Sequence, residues 1–67
     1  MLMKELRERR GWSQAKLSRV ADLNQSTVNA IERGRLRAGE SQLKALADAL
    51  GWEGAPGALV ETHGASD

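Results

Sequence analysis

The stretch that decides the fold runs from Gln14 to Arg33 and reads QAKLSRVADLNQSTVNAIER. Counted from Gln14, apolar residues fall at the fourth, eighth, tenth, fifteenth and eighteenth places, Leu17, Ala21, Leu23, Val28 and Ile31. Leu17 and Ala21 are four apart, and Val28 and Ile31 three apart, which puts each pair on one helical face. A small residue, Ser18, takes the fifth place, where two crossing helices come closest. Asp22 at the ninth place has to turn the chain, and Asp tolerates the left-handed backbone better than most residues with a Cβ. Ser13 offers a capping hydroxyl to the first segment, and Asn24 offers its side chain as a cap to the second. The pattern predicts helices over Gln14–Ala21 and Gln25–Arg33, joined by the tight turn Asp22-Leu23-Asn24 and crossing at an angle.

Outside this unit, glycines punctuate the chain. Gly11, Gly34 and Gly51 each follow a helix-period segment, where a left-handed residue ends a helix. Upstream, Leu2 to Arg10 reads as a helix with Leu2, Met3 and Leu6 on one face. Downstream, Arg35 to Gly39 is a basic loop. A further helix follows, with Leu43, Leu46, Ala47 and Leu50 at i, i+3, i+4 and i+7, and Gly51 ends it. Pro56 opens a last short helix carrying Leu59 and Val60. These two residues either close the core or form an apolar patch for a second protomer. Trp12 and Trp52 read as partly buried core and interface residues, and Leu36 as a lone exposed apolar residue.

Composition agrees with an all-α chain. Leu, Ile, Val and Phe together number only 13 of 67 residues, but ten alanines let helices approach closely. Phe and Tyr are absent and β-branched residues are few, which disfavours strands. At this length one domain is the limit. It is predicted over residues 1–62, with a disordered tail over 63–67. The absence of cysteine excludes disulfides and thiolate zinc sites. The one histidine, His63, stands in the tail, so no metal and no cofactor are expected. A chain this short has little room for a pocket, and it has neither a phosphate-cradling glycine loop nor paired carboxylates in a cleft. An enzyme is therefore not expected. No apolar run approaches the ~18 residues of a membrane span, and no signal peptide is visible, so the sequence predicts a soluble, cytoplasmic protein.

The net charge of +1 hides an asymmetry. Residues 4–37 carry nine bases and four acids, whereas residues 38–67 carry Lys44 against five acids. A basic half points to a polyanion and an acidic half to solvent or a protein partner.

Two short helices on a three-residue turn make a helix-turn-helix. At this point the chain resembles the Cro/C1-type (XRE) helix-turn-helix domains of phage and bacterial regulators. The resemblance spans about residues 2–52. It rests on Leu6-Arg7, Gly11-Trp12-Ser13-Gln14, Leu17 and Ala21-Asp22-Leu23-Asn24-Gln25-Ser26-Thr27-Val28. It continues through Ile31-Glu32-Arg33-Gly34-Arg35, Leu43, Leu46-Ala47 and Leu50-Gly51. Asp22 departs from it, standing where a glycine is common.

The resemblance implies a compact four- to five-helix, lambda-repressor-like domain. It also implies a sequence-specific double-stranded DNA-binding transcriptional regulator, a repressor acting as a homodimer on an inverted repeat. The start of the second helix of the motif enters the major groove, with Gln25, Ser26 and Ala30 toward base edges. Gln suits adenine N6/N7 and the Ala methyl suits the thymine methyl. Thr27 and Asn29 are better placed for phosphate, and Gln14 with its helix N-terminus grips another. Arg33, Arg35 and Arg37 reach the sugar–phosphate backbone, with Lys16, Arg19 and Arg10 on the rim. Arg7 and Glu32 match an ion pair between the first and third helices. It is either a structural link or an exposed pair worth under about 1 kcal/mol. A second reading gives the acidic half to a protein partner, as in an antitoxin that masks a toxin while its helix-turn-helix regulates its own operon.

Overall fold

The computed structural model describes residues 1–61. The predicted tail, 63–67, lies outside the described residues. Four helices follow one another: α1 (Leu2–Arg9), α2 (Gln14–Ala21), α3 (Gln25–Glu32) and α4 (Glu40–Leu50). A 3₁₀ turn, Pro56–Val60, closes the sequence of elements, and no strand occurs among the described residues. The predicted ends of α1 and α3 each lie one residue too far. Arg10 and Arg33 instead cap these helices with near-helical backbone.

Local chemistry explains the boundaries. The Ser13 Oγ accepts the Lys16 N–H at 3.1 Å, satisfying one of the free donors at the start of α2. At its other end Asp22 adopts φ 59°, ψ 44°, the one left-handed residue with a Cβ among the described residues. This lets the Leu23 N–H turn back to the Ser18 carbonyl at 2.8 Å. Gly11, Gly34 and Gly51 all have positive φ, as their positions after helical segments predict. Asn24 stands at the N-cap of α3, but its side chain makes no capping bond, contrary to the sequence-based expectation. Its carbonyl instead takes both the Thr27 and Val28 N–H groups, at 3.0 and 3.1 Å, while its side chain stays exposed. Gly39 at the start of α4 has no side chain to offer. The Gln42 Oε1 reaches back to the Gly39 N–H at 3.0 Å, giving half of a reciprocal cap.

The core gathers Met3 of α1, Leu17 of α2, Val28 and Ile31 of α3, Leu46 of α4 and Leu59 of the 3₁₀ turn, all essentially without solvent contact. Helix α2 is central, packed on α3 and on α4, while the 3₁₀ turn lies against α4 and α1. Ser18 is buried, and its hydroxyl donates to the Ala15 carbonyl at 2.8 Å, so a polar residue sits in the core with its donor satisfied. Of the two roles open to Leu59, the structure assigns the core. Val60 is half-buried beside it. Leu43, read from its spacing as inward, is also only half-buried. On α1 the buried positions are Met3 and Arg7, four apart, rather than the whole set Leu2, Met3 and Leu6.

Candidate nucleic-acid interface

Helix α3 presents its polar face outward because Val28 and Ile31 anchor the opposite side in the core. Gln25 and Ser26 are exposed at its start, and Thr27, Asn29 and Ala30 are half-buried along its flank. An inward Gln25 would bury an amide without a partner, at a cost of about 1–3 kcal/mol.

Beneath this face lies a polar network that joins three helices. The Arg7 guanidinium of α1 grips the Glu32 carboxylate of α3 with two bonds, Nε to Oε2 at 2.8 Å and Nη2 to Oε1 at 3.1 Å. Its third nitrogen, Nη1, donates to the Trp12 carbonyl at 2.7 Å. The side chains are 10% and 3% exposed, so this is a largely desolvated pair rather than a surface one. The bonded carboxylate raises the Arg7 pKa above its already high ordinary value, outweighing the opposing effect of burial.

The network continues outward. Gln14 Nε2, at the start of α2, donates to Glu32 Oε1 at 2.9 Å, and Asn29 Nδ2 donates to Gln14 Oε1 at 3.0 Å. Each amide nitrogen carries two hydrogens and spends one in these bonds. The other hydrogen of each makes no bond among the described residues. Gln14 and Asn29, fifteen residues apart, are thereby fixed at the junction of α2 and α3. The backbone N–H groups opening α2 lie at the same junction.

The basic residues divide into two groups. Arg33, Arg35 and Arg37, at and beyond the exit of α3, are exposed, as are Lys16 and Arg19 on α2. None of the five forms an ion pair among the described residues. The loop starts from a tight turn in which the Ala30 carbonyl accepts the Arg35 and Leu36 N–H groups, at 2.8 and 3.2 Å. Arg10 is placed differently. Its Nη2 donates to the Leu50 carbonyl at 2.6 Å, closing the C-terminal end of α4, where a cation opposes the helix dipole. Its guanidinium also lies 5.2 Å from the Trp12 ring centroid, and the Lys16 ammonium lies 5.8 Å from the same ring. Gly51 makes room for this arrangement: a Cβ there would come within 3.1 Å of Arg10 Nη2, at a φ of +67°.

The resemblance pairs Arg7 with Glu32 but does not join Gln14 and Asn29 to them in one network. Asn29 and Glu32 are three apart on α3, so a shared face was readable. That this face meets the start of α2 was not. Trp12 reads only as a partly buried core or interface residue; that its carbonyl and ring serve Arg7, Arg10 and Lys16 was not legible.

No curated protein and no solved structure matches the chain. A family model for the helix-turn-helix domain matches residues 1–66, nearly its whole length. With α2 and α3 crossing on a left-handed Asp22, the chain belongs to the helix-turn-helix domain family, whose architecture is that of DNA-binding regulators.

Proposed function

We propose that the chain is a sequence-specific transcriptional regulator of the Cro/C1 type, a repressor that binds an inverted repeat in double-stranded DNA as a homodimer. One observation carries this reading. Exposed Gln25 and Ser26 open α3 directly beside Gln14 and Asn29, whose amides the buried Arg7–Glu32 pair holds in place. A face that reads bases needs such a fixed frame, because phosphate contacts set the register in which base edges are met.

In this reading Gln25, Ser26 and Ala30 meet base edges in the major groove. Gln14, Thr27 and Asn29 donate to phosphates at the junction of the two helices. Arg33, Arg35 and Arg37 follow the backbone on one side, and Lys16 and Arg19 on the other. Arg10 joins the rim only through whatever its bond to Leu50 leaves free. Two protomers place their α3 helices in successive major grooves, about 34–36 Å apart. Occupancy of the operator then excludes other proteins from it, which is repression in its simplest form.

Selection of bound duplexes from a random pool tests the proposal. The expected result is one enriched motif with two-fold symmetric half-sites. A pool that stays unenriched while binding falls steeply with salt would mean non-specific electrostatic binding only, and the reading would fail.

A further inference from the structure

The outer face of α4 is not used by the proposed DNA contacts, yet it is built as a contact surface. An open groove of about 780 Å³ runs along it, with Leu43, Ala47, Trp52 and Pro56 as apolar lining and Glu40, Lys44 and Asp48 among its polar residues. The Trp52 ring is fixed before anything binds. Its Nε1 donates to the Ala55 carbonyl at 3.0 Å, and the ring lies so close over Gly54 that a Cβ there would approach it to 2.6 Å. A large, immobilised and half-buried aromatic side chain is the kind of anchor that interfaces use, because little side-chain freedom is left to lose.

The charges define the occupant. Glu40, Lys44 and Asp48 follow one another at four-residue spacing, all exposed, and none forms an ion pair among the described residues. We infer that the groove is filled by the same face of a second copy, with the two α4 helices antiparallel about a two-fold axis midway between Lys44 and Asp48. In that register Lys44 lies across from Asp48 of the partner subunit, and the symmetry makes the contact twice, about 6 Å apart along the helix. A register centred on Lys44 would set ammonium against ammonium. One centred on Asp48 would set carboxylate against carboxylate. One centred on Gln42 would pair Lys44 with an acid, Glu40 of the partner subunit, but would carry Trp52 past the start of the facing α4 and leave the aromatic wall of the groove outside the contact. The favoured register also puts Glu40 across from Trp52 of the partner subunit rather than from an acid.

Antiparallel pairing places the two Arg33–Arg37 loops at opposite ends of the helix pair, on either side of the two-fold axis. This arrangement suits one protein dimer facing two half-sites. The inference rests on the homodimer of the proposed function and names the surface that forms it.

A charge swap tests it on the full chain by sedimentation equilibrium. Lys44→Glu and Asp48→Lys each put like charges together at both symmetry-related contacts. Each should weaken self-association about tenfold or more. The double variant, Lys44→Glu with Asp48→Lys, rebuilds both pairs with reversed polarity and should return to within about threefold of wild type. Both residues are exposed, and thermal melts of all four proteins check that folding is kept. A double variant as weak as the single ones overturns the inference. So does a wild-type chain that stays monomeric up to about 1 mM. Binding to a duplex with one half-site reads the DNA function separately. Equal half-site affinity in all four proteins, with weakening confined to the full repeat for the single variants, supports the interface. Absence of half-site binding in wild type counts against DNA reading, and the sedimentation series then still decides the interface.

Discussion

Glu32→Ala tests the network that ties three helices together. The Glu32 carboxylate accepts three hydrogen bonds, from Arg7 Nε at 2.8 Å, Arg7 Nη2 at 3.1 Å and Gln14 Nε2 at 2.9 Å, and its side chain is 3% exposed. Truncation leaves a guanidinium only 10% exposed without a counter-charge, and it takes from Gln14 the acceptor that orients it. Removing one partner of a buried pair costs about 3–5 kcal/mol, whereas an exposed pair is worth about 0–1 kcal/mol. Arg7 keeps its 2.7 Å bond to the Trp12 carbonyl, which argues for the lower end, about 3 kcal/mol. A chain of this length has a total stability of roughly 3–10 kcal/mol, so the variant stands at or near the edge of folding. Urea unfolding followed by far-UV circular dichroism measures the change. The double variant Arg7→Met, Glu32→Leu should recover at least half of it, because no charge is then left buried alone. A Glu32→Ala protein within about 1 kcal/mol of wild type would mean that the pair behaves as a solvent-screened one rather than a desolvated one.

Three further outcomes follow from other parts of the molecule. Leu46→Ala empties a fully buried position between α4 and the rest of the core and should cost about 2–5 kcal/mol, again measured by urea unfolding. Asp22→Gly should be at least as stable as wild type, because glycine meets φ 59° without strain; Asp22→Val should lose about 1–2 kcal/mol in the same assay. Replacing Arg33, Arg35 or Arg37 by Ala should weaken specific and random duplexes about equally. It should also lower the log–log salt slope by about 0.9 for each phosphate that is no longer neutralised, read by fluorescence anisotropy across a salt series.

Much of the architecture was legible because local rules set it. Ser13 supplies a hydroxyl where α2 needs an acceptor, Asp22 turns the chain where only a left-handed residue fits, and Ser18 is small where helices cross. What stayed hidden depended on long-range partners. The resemblance pairs Arg7 with Glu32 but leaves open whether the pair is structural or exposed; its burial depends on packing between residues 25 apart. Arg10 reads as a rim cation, and its bond to Leu50 spans 40 residues. Whether Leu59 served the core or a partner depended on how the 3₁₀ turn docks against α4 and α1, which periodicity does not encode. Asn24 shows a local rule that the chain declines: the residue type and position suit a cap, but the carbonyl closes the first turn instead. On the candidate interface, the exposure of Gln25 and Ser26 followed from the inward pair Val28 and Ile31. The coupling of Gln14 to Asn29 required the crossing of the two helices.

Base reading by α3 is tested by Gln25→Ala. Gln25 is exposed in the first turn of α3 and makes no side-chain bond within the described residues, so its removal should leave the thermal melt nearly unchanged. Affinities of wild type and variant are measured for all four bases at every position of the selected operator. The variant should keep non-specific binding and lose about 1–3 kcal/mol of discrimination at one position in each half-site, where wild type prefers adenine. A variant that retains the full wild-type preference profile would contradict base reading, and Gln25 would then be a solvated side chain.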